Sequence, residues 1–336
     1  MKQRNYSIDL LKFYFALIVA VGHSPYPSTL PYIEGGYIVL LFFILSGYFL
    51  VCSFDSGKYE DPWKYTMARV TRIWPYYAFA FVAMYLYMNY ASGLRPLVLG
   101  FFRALPELLM LHNTGIFDGG INYPLWQLCS LVVVSHIFFG LLQWNRKLTL
   151  DVLCPVITMI TYTYYIHVTP ETALPYVNNT MIRAAGGVAM GMFLHRPIRL
   201  ILEKLENSPL TCMPALVSGT SLFLMLMLYT NRLSYSMVIP YVGLLICMLY
   251  SRGIWARWFR HPALGRLDHL SLGVYLNHAL IVRIVEQHPG FVERIPVLPQ
   301  DLAFLLVVLV YTLVMMKTVD GLLWLWKKLL RKGVCV

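Results

Sequence analysis

Residues 35–54 read GGYIVLLFFILSGYFLVCSF, a stretch without a single charged side chain. A helix of about 20 apolar residues is long enough to cross the roughly 30 Å hydrocarbon core of a bilayer. This stretch is therefore predicted to be a membrane-spanning helix.

Similar apolar runs recur along the chain, and ten of them are candidate spans: about 6–24, 35–54, 74–91, 123–143, 148–166, 181–195, 212–230, 234–250, 271–287 and 301–319. The segment 97–111 is also apolar, but Pro106 and Glu107 interrupt it, so we interpret it as re-entrant or interfacial. The first run carries Asp9 and Lys12 and lacks a small-x-small cleavage site, so we expect a span rather than a removable signal peptide. The sequence predicts an all-α, polytopic membrane helix bundle of about ten transmembrane helices, forming a single domain over residues 1–336 with no soluble domain appended.

The composition excludes several classes of protein. Of the 336 residues, 58% are hydrophobic and only 13% are charged, whereas soluble domains carry about 45–50% apolar and about 25% charged residues. A soluble enzyme, a disordered chain and a secreted disulfide-knit domain are therefore excluded. The six cysteines show no metal-binding spacing, so we expect no metal site and interpret them as small buried hydrophobic residues.

The net charge of +11 has two interpretations, nucleic-acid binding or the positive-inside bias of a membrane protein. If the N-terminus is cytoplasmic, 20 of the 27 lysines and arginines fall in the inside connections and five in the outside ones, which are Arg95, Arg103, Arg183, Arg232 and Arg294. This asymmetry predicts a multi-pass protein with both termini inside. It also argues against a nucleic-acid partner.

The first predicted helix carries three candidate catalytic residues, Asp9, Lys12 and His23. Ionisable groups inside a membrane are costly and therefore mark functional sites by default. Lys12 and His23 are eleven residues apart, which puts them on one helical face about 16 Å apart along the axis. Asp9 lies three residues before Lys12 and is expected to pair with it. The alternative is a structural Asp9–Lys12 ion pair and an interfacial histidine.

Two further patterns carry candidate site residues. Arg69 and Arg72 lie three apart before the third run, on the predicted cytoplasmic side, where paired guanidinium groups suit phosphates; the alternative is anchoring at the membrane surface. Ser271, Tyr275 and His278 have i, i+4, i+7 spacing and form one helical stripe. That stripe either faces a cavity or forms hydrogen bonds between helices.

Together these features resemble the acyltransferase 3 family of integral membrane O-acyltransferases, over essentially the whole chain. The similar motifs, in order, are Lys12 with His23, Phe42-Phe43-Ile44-Leu45-Ser46-Gly47-Tyr48, Arg69-x-x-Arg72-Ile-x-Pro75, Pro124-Leu125-Trp126-x-Leu128 and Ser271-x-x-x-Tyr275-Leu-x-His278. One departure is Leu131, which stands where the family pattern commonly has a glutamate.

The resemblance implies O-acylation, usually O-acetylation, of a carbohydrate or a lipid-linked or cell-surface glycan, with cytoplasmic acetyl-CoA or another acyl-CoA as donor and no permanently bound cofactor. His23 is the candidate general base, or alternatively the site of an acyl-histidine intermediate. Lys12 is expected to pair with Asp9 or to contact the donor. Arg69 and Arg72 are the expected donor-binding residues, and the expected acceptor or cavity residues are Trp126, Ser271, Tyr275 and His278.

The compact form suggests a bacterial protein in the cytoplasmic (inner) membrane. A transporter or flippase of a glycan or small metabolite is the alternative function, because ten spans with intramembrane charges suit it too. Against it, the sequence has no inverted repeat and no paired broken helices. Nothing in the sequence argues for a receptor or scaffold.

Overall fold

The structure, a computed structural model, describes residues 6–26, 35–114, 117, 120–167, 178–230, 235–258, 260–290 and 298–333. Within these ranges the protein is helical and has no β-strand, which confirms the predicted all-α class. Some residues used in the topology and cysteine arguments lie outside the described ranges: Lys2, Arg4, Arg232, Arg294 and Cys335.

The helices are α1 (Ser7–Gly22), α2 (Gly35–Asp55), α3 (Pro62–Asn89), α4 (Leu94–Arg103), α5 (Leu105–Leu108), α6 (Trp126–Leu148), α7 (Cys154–His167), α8 (Asn179–Glu206), α9 (Met213–Thr230), α10 (Val238–Leu249), α11 (Ile254–Trp258), α12 (Arg266–Gln287) and α13 (Gln300–Gly333). Every predicted run coincides with one of these helices, namely α1, α2, α3, α6, α7, α8, α9, α10, α12 and α13.

Among the described residues, three helical stretches are long and apolar enough to cross a membrane by length and composition: Ile38–Asp55, Tyr123–Tyr164 and Gln300–Leu330. Met213–Leu228 and Val238–Leu249 are shorter apolar helices. These stretches are consistent with a membrane helix bundle, whereas the count of ten spans and the inside position of both termini stay predictions. The segment 97–111 forms parts of α4 and α5, which are too short to span.

The stretch from Tyr123 to Tyr164 contains a chain reversal rather than one long rod. Asn145 has extended backbone angles, φ −156° and ψ 95°, and its side chain accepts a hydrogen bond from the N–H of Leu148. The hydroxyl of Thr149 donates to the carbonyl of Leu141 at 2.8 Å, although eight residues of straight helix would separate them by about 12 Å. The chain therefore turns back at Asn145, and a π-helical turn, Thr149–Leu153, leads into α7.

Two helices extend beyond their predicted runs. α3 begins at Pro62 rather than at 74, because Asp61 caps it by accepting from the N–H of Lys64 at 2.7 Å and proline suits the first helical position. α8 continues to Glu206 rather than ending at 195. Both extensions carry basic residues that the hydropathy pattern assigned to connections, among them Arg69 on α3 and Arg199 on α8. We define the basic end of the bundle by these two residues together with Arg146 in the last turn of α6.

Glycines bring α2 and α8 into very close contact. A Cβ on Gly47 would lie 2.0 Å from the carbonyl oxygen of Val188, and one on Gly191 would lie 1.9 Å from that of Ile44. Small residues at such positions allow helix backbones to approach, as is common in membrane bundles. On the other side of the bundle, α12 packs against α1, α3 and α13, and these contacts build the site described below.

The cysteines are mostly buried, as predicted. Cys129, Cys154 and Cys247 are buried and Cys52 is half-buried, whereas Cys212 is exposed, contrary to the interpretation, because it lies just before α9 rather than within it. The described residues contain no group of His, Cys, Asp and Glu side chains that could hold a metal ion.

Candidate active site

His23 follows the last residue of α1, and one hydrogen bond orients its ring. Its Nδ1 lies 2.8 Å from the carbonyl oxygen of Val19. Because a carbonyl oxygen only accepts, Nδ1 carries a proton and donates it, which leaves Nε2 of the neutral ring as an acceptor. Nε2 is thus the ring atom that can take a proton from a hydroxyl group.

The structure brings His23 together with a residue far away in the sequence, His278 of α12. Their ring centroids are 5.1 Å apart. Tyr123 completes the cluster, with its ring 5.2 Å from that of His23 and 6.4 Å from that of His278. His23 and His278, which were predicted from two different motifs, are therefore neighbours in the structure. Tyr123 was not predicted as a site residue. The only signal for Tyr123 is its position directly before the Pro-Leu-Trp motif.

His278 is completely buried at 0% exposure. Its Nδ1 donates to the carbonyl of Val274 at 3.2 Å, so Nε2 is again the acceptor. No hydrogen-bond partner for this Nε2 exists among the described residues. Buried polar atoms are nearly always bonded, so this nitrogen next to His23 can accept a hydrogen bond from a ligand.

Tyr275 and Ser271 lie on α12 one and two turns before His278. The Tyr275 hydroxyl donates to the carbonyl of Pro124 at 2.5 Å, and its ring lies 5.9 Å from that of His278. The Ser271 hydroxyl donates to the carbonyl of Asp268 at 2.7 Å. Both residues line a cavity, and Tyr275 connects that cavity to the histidine cluster.

This cavity, which we call the central cavity, has a volume of about 190 Å³ and lies among α1, α2, α3, α6 and α12. Its charged and polar wall consists of Lys12, Ser46, Arg69, Arg72, Gln127, Asp268, His269, Ser271 and Tyr275. Three cations and one carboxylate give it a positive net charge. Its lining runs from Arg72, which is exposed at the basic end, to Tyr275 beside His278.

Lys12 forms its ion pair with a different carboxylate from the one expected. Its Nζ lies 2.8 Å from Asp268, and both side chains are 27% exposed. The predicted Asp9–Lys12 pair is wrong, because α12 presents Asp268 directly across from Lys12. Asp9 is buried at 3% exposure and does not line the central cavity.

Arg69 and Arg72 both line the central cavity. Arg69 donates a hydrogen bond to the hydroxyl of Tyr65, and its guanidinium lies 5.4 Å from the centre of that ring. Neither arginine forms an ion pair within the described part of the chain. Two unpaired guanidinium groups at a cavity mouth can accept a phosphate-bearing ligand.

α6 contributes one predicted residue that lies apart from the cavity and one lining residue that was missed. The ring of Trp126 packs against Phe43 at 6.2 Å and does not line the central cavity. Gln127 does line it and is only 4% exposed. Leu131, one turn further along α6, lies in the same wall. The polar group that α6 offers the cavity is therefore an amide one turn before the position where the family pattern has a glutamate.

Glu107 was not predicted as a site residue, yet it holds the segment that carries Tyr123. Its carboxylate accepts from the backbone N–H groups of Ile121 at 2.7 Å and Asn122 at 2.9 Å. The Asn122 side chain donates onward to the carbonyl of Leu276 at 3.2 Å. Burial raises the pKa of Glu107 above its usual range, and the two N–H donors oppose that rise. In the sequence, the only signal is an acidic residue inside an apolar segment.

The geometry supports proton transfer at the cluster of His23, Tyr123 and His278. None of these three residues lines the central cavity itself, and the ring of Tyr275 lies between the cluster and the cavity. His23 offers an oriented acceptor nitrogen, and the phenol of Tyr123 and the unpaired Nε2 of His278 lie beside it. The basic residues lie towards the other end of the cavity. This separation suits a ligand that is anionic at one end and reactive at the other.

Comparison with known proteins identifies the family of the chain. The family model for the acyltransferase 3 group, described as an acyltransferase domain, matches residues 5–318 and so covers nearly the whole chain. No curated protein and no solved structure gives a significant match. With this match over the helices that build the site, the chain belongs to the acyltransferase 3 family of membrane acyltransferases.

Proposed function

We propose that the protein is an O-acyltransferase that moves an acyl group from cytoplasmic acyl-CoA to a hydroxyl of a carbohydrate. Acetyl is the acyl group that we propose. The acceptor would be a cell-surface glycan or its lipid-linked precursor, and the protein would act in the cytoplasmic membrane. One observation carries the proposal most: the central cavity has unpaired arginines at its mouth and reaches Tyr275, whose ring contacts the His23–His278 cluster.

His23 is the proposed general base. Its Nε2 takes the proton of the acceptor hydroxyl while the hydroxyl oxygen attacks the carbonyl carbon of the thioester. The bond from that carbon to sulfur then breaks, and the departing CoA thiolate receives the proton from the His23 imidazolium. A histidine has a suitable pKa for both transfers near neutral pH, which is why this residue type fits the role.

Arg69 and Arg72 are the proposed contacts for the CoA phosphates. Replacing either with glutamine should raise KM for acetyl-CoA about tenfold with little change in kcat, because a charge-assisted hydrogen bond to phosphate is lost in both the ground and transition states. The measurement is steady-state kinetics on purified protein, with Arg257→Gln as the matched control, because Arg257 is exposed and does not line the central cavity.

A truncated donor makes this test specific for phosphate. Acetyl-pantetheine has the same thioester but no nucleotide phosphates, so wild type and the two arginine variants should use it with equal KM. If KM rises by the same factor for acetyl-pantetheine as for acetyl-CoA in the variants, Arg69 and Arg72 do not act through the phosphates.

Transfer and transport are distinguished by following both substrates. Purified protein in vesicles is given labelled acetyl-CoA and a glycan acceptor, and free CoA and acetylated glycan are measured together. We expect CoA release that requires the acceptor, with one ester formed per CoA released. Glycan movement across the vesicle membrane without CoA release would instead support a transporter.

A further inference from the structure

A second and larger cavity, of about 620 Å³, lies at the basic end. It is lined by α2, by α6 with the π-helical turn, and by the end of α8, and we call it the α2–α8 cavity. On α2 it is lined by Asp55, whereas the central cavity is lined by Ser46. These residues are nine apart, about two and a half helical turns, so the two cavities lie on opposite faces of α2.

The α2–α8 cavity follows from the way these helices cross. Gly47 and Gly191 permit backbone contact in the middle of the helices, and below the crossing the ring of Tyr48 still packs on that of His195 at 5.2 Å. From Met192 to Glu203, residues of α8 line the space between this helix and the end of α2. It is a wedge between two helix ends.

One face of α8 lines this wedge with charge. His195, Arg196, Arg199 and Glu203 all lie within about 100° of arc on the helix. His195 is 3% exposed, so the innermost part of the wall is well buried. The wedge therefore has a wall built by regular helix rather than by exposed loop residues.

Of the charged side chains that line the wedge, only some form ion pairs within the described residues. Arg146 is neutralised by Asp55 through two hydrogen bonds of 2.9 Å. The other cations, Lys147, Arg196 and Arg199, form no ion pair within the described ranges.

The two remaining carboxylates of the wedge, Asp151 and Glu203, form no ion pair with any residue that the structure describes. Lys147 and Asp151, and likewise Arg199 and Glu203, are four residues apart, a spacing at which opposite charges commonly pair. Both signs of charge are thus left available around one cavity.

The remaining wall is apolar and reaches the outside of the bundle. Phe193 and Leu200 line the wedge and are 43% and 50% exposed. In a membrane-embedded bundle, an exposed apolar side chain beside charged residues lies at the boundary between acyl chains and headgroups.

From this combination we infer that the α2–α8 cavity binds a phospholipid whose headgroup carries both a phosphate and a primary amine, as phosphatidylethanolamine does. The phosphate accepts hydrogen bonds from Arg196 and Arg199, the ammonium donates to Asp151 and Glu203, and the acyl chains lie along Phe193 and Leu200. This site is separate from the proposed acyl-transfer site and does not depend on it. Its occupant would hold the diverging ends of α2 and α8 together.

Lipid retention tests the inference without using enzyme activity. The purified, delipidated protein is incubated with phosphatidylethanolamine, phosphatidylglycerol or phosphatidylcholine of identical acyl chains, and retained lipid is counted by native mass spectrometry. Wild type should retain one phosphatidylethanolamine in preference to the other two. Phosphatidylglycerol lacks the amine, and the quaternary amine of phosphatidylcholine cannot donate hydrogen bonds to carboxylates.

Two sets of variants separate the two charges of the headgroup. Arg196→Gln with Arg199→Gln should weaken retention of all three lipids by about tenfold, because the shared phosphate loses its donors. Asp151→Asn with Glu203→Gln should abolish only the preference for phosphatidylethanolamine. Arg252→Gln with Arg257→Gln, exposed and outside both cavities, is the control and should behave as wild type.

Size-exclusion profiles and unfolding temperatures of each variant show whether it is folded, and the acidic-pair variant provides an independent test if the arginine pair does not fold. Equal or better retention of phosphatidylglycerol by wild type would overturn the inference. Unchanged selectivity in the acidic-pair variant, or unchanged retention in the arginine-pair variant, would overturn it as well.

Discussion

The hydrogen bond from His23 Nδ1 to the carbonyl of Val19 does more than orient a ring. It settles which nitrogen of the neutral imidazole is free, and the same pattern recurs at His278 with Val274. Two histidines with free Nε2 atoms, 5.1 Å apart by ring centroids, form a site that can accept protons but cannot satisfy itself internally. In the proposed reaction, the acceptor hydroxyl donates its hydrogen bond to Nε2 of His23.

Glu107 is expected to act as a positioning residue for this site. In Glu107→Gln, the amide can accept at only one of its two terminal atoms, so the N–H of Ile121 or Asn122 loses its partner. A buried unpaired N–H costs about 1–3 kcal/mol of stability. Because the segment that carries Tyr123 would then shift, kcat should fall about tenfold while KM for acetyl-CoA stays the same.

The measurement is the kcat and KM of the purified variant, together with its unfolding temperature. Glu60→Gln is the control, because Glu60 is exposed and pairs only with Lys64 at the surface. A Glu107→Gln protein with wild-type kcat would show that the carboxylate does not position the site.

At this scale the sequence predicts part of the site only. His23, Arg69, Arg72 and His278 are recognisable by motif spacing. The Asp9–Lys12 pair is wrong because local spacing says nothing of Asp268, which arrives from a helix far along the chain. Contacts of this kind depend on how helices pack, and one sequence does not reveal that.

At the scale of the helices, the close contact of α2 with α8 is possible because glycine has no Cβ atom. A Cβ at Gly191 would meet the backbone of Ile44 at 1.9 Å, and backbone cannot move aside as a flexible side chain can. The same two helices wall the α2–α8 cavity, and α2 also separates it from the central cavity. Their spacing therefore affects both cavities.

Gly191→Ala should destabilise the protein by about 1–3 kcal/mol, because overpacking forces the two backbones apart. The measurement is thermal unfolding of the detergent-purified protein. Gly219→Ala is the matched control, since a Cβ there has nothing within 4 Å and alanine favours helix. Equal unfolding temperatures for the two variants would contradict the close contact of α2 with α8.

Helix positions are predicted well and helix ends poorly. The apolar runs locate α1 and α2 closely, because hydropathy and helix coincide there. They miss the first three turns of α3 and the last three of α8, since charged residues lower the hydropathy although the helix continues beyond the apolar part. The charges on these extensions include Arg69, Arg196 and Arg199.

For the molecule as a whole, the distribution of positive charge makes the strongest prediction. The ends of α2, α6 and α8 meet around the α2–α8 cavity, as expected if their connections lie on one side. The all-α class and the membrane character of the chain were predictable from the composition together with the recurring apolar runs. The cavities were not, because they arise from the crossing of helices that look alike in sequence.

The predicted orientation can be measured with a membrane-impermeant maleimide on intact cells. Cys212 is the first residue of the predicted span 212–230, at its inside end, and is exposed, so it should be labelled only after the membrane is permeabilised. Ser92→Cys, introduced with Cys212→Ser and Cys335→Ser, lies in a predicted outside connection and should be labelled without permeabilisation. The opposite labelling pattern would show that the termini face outside.

The central claim is that His23 is the base for acyl transfer, and its most direct test is turnover by a folded His23→Ala protein. With acetyl-CoA and acceptor both saturating, kcat should fall at least about a hundredfold, because a positioned base contributes roughly 10²–10⁴-fold. The unfolding temperature should match that of wild type, and His288→Ala, an exposed histidine, should keep full activity. Wild-type turnover by the folded His23→Ala protein would contradict the claim.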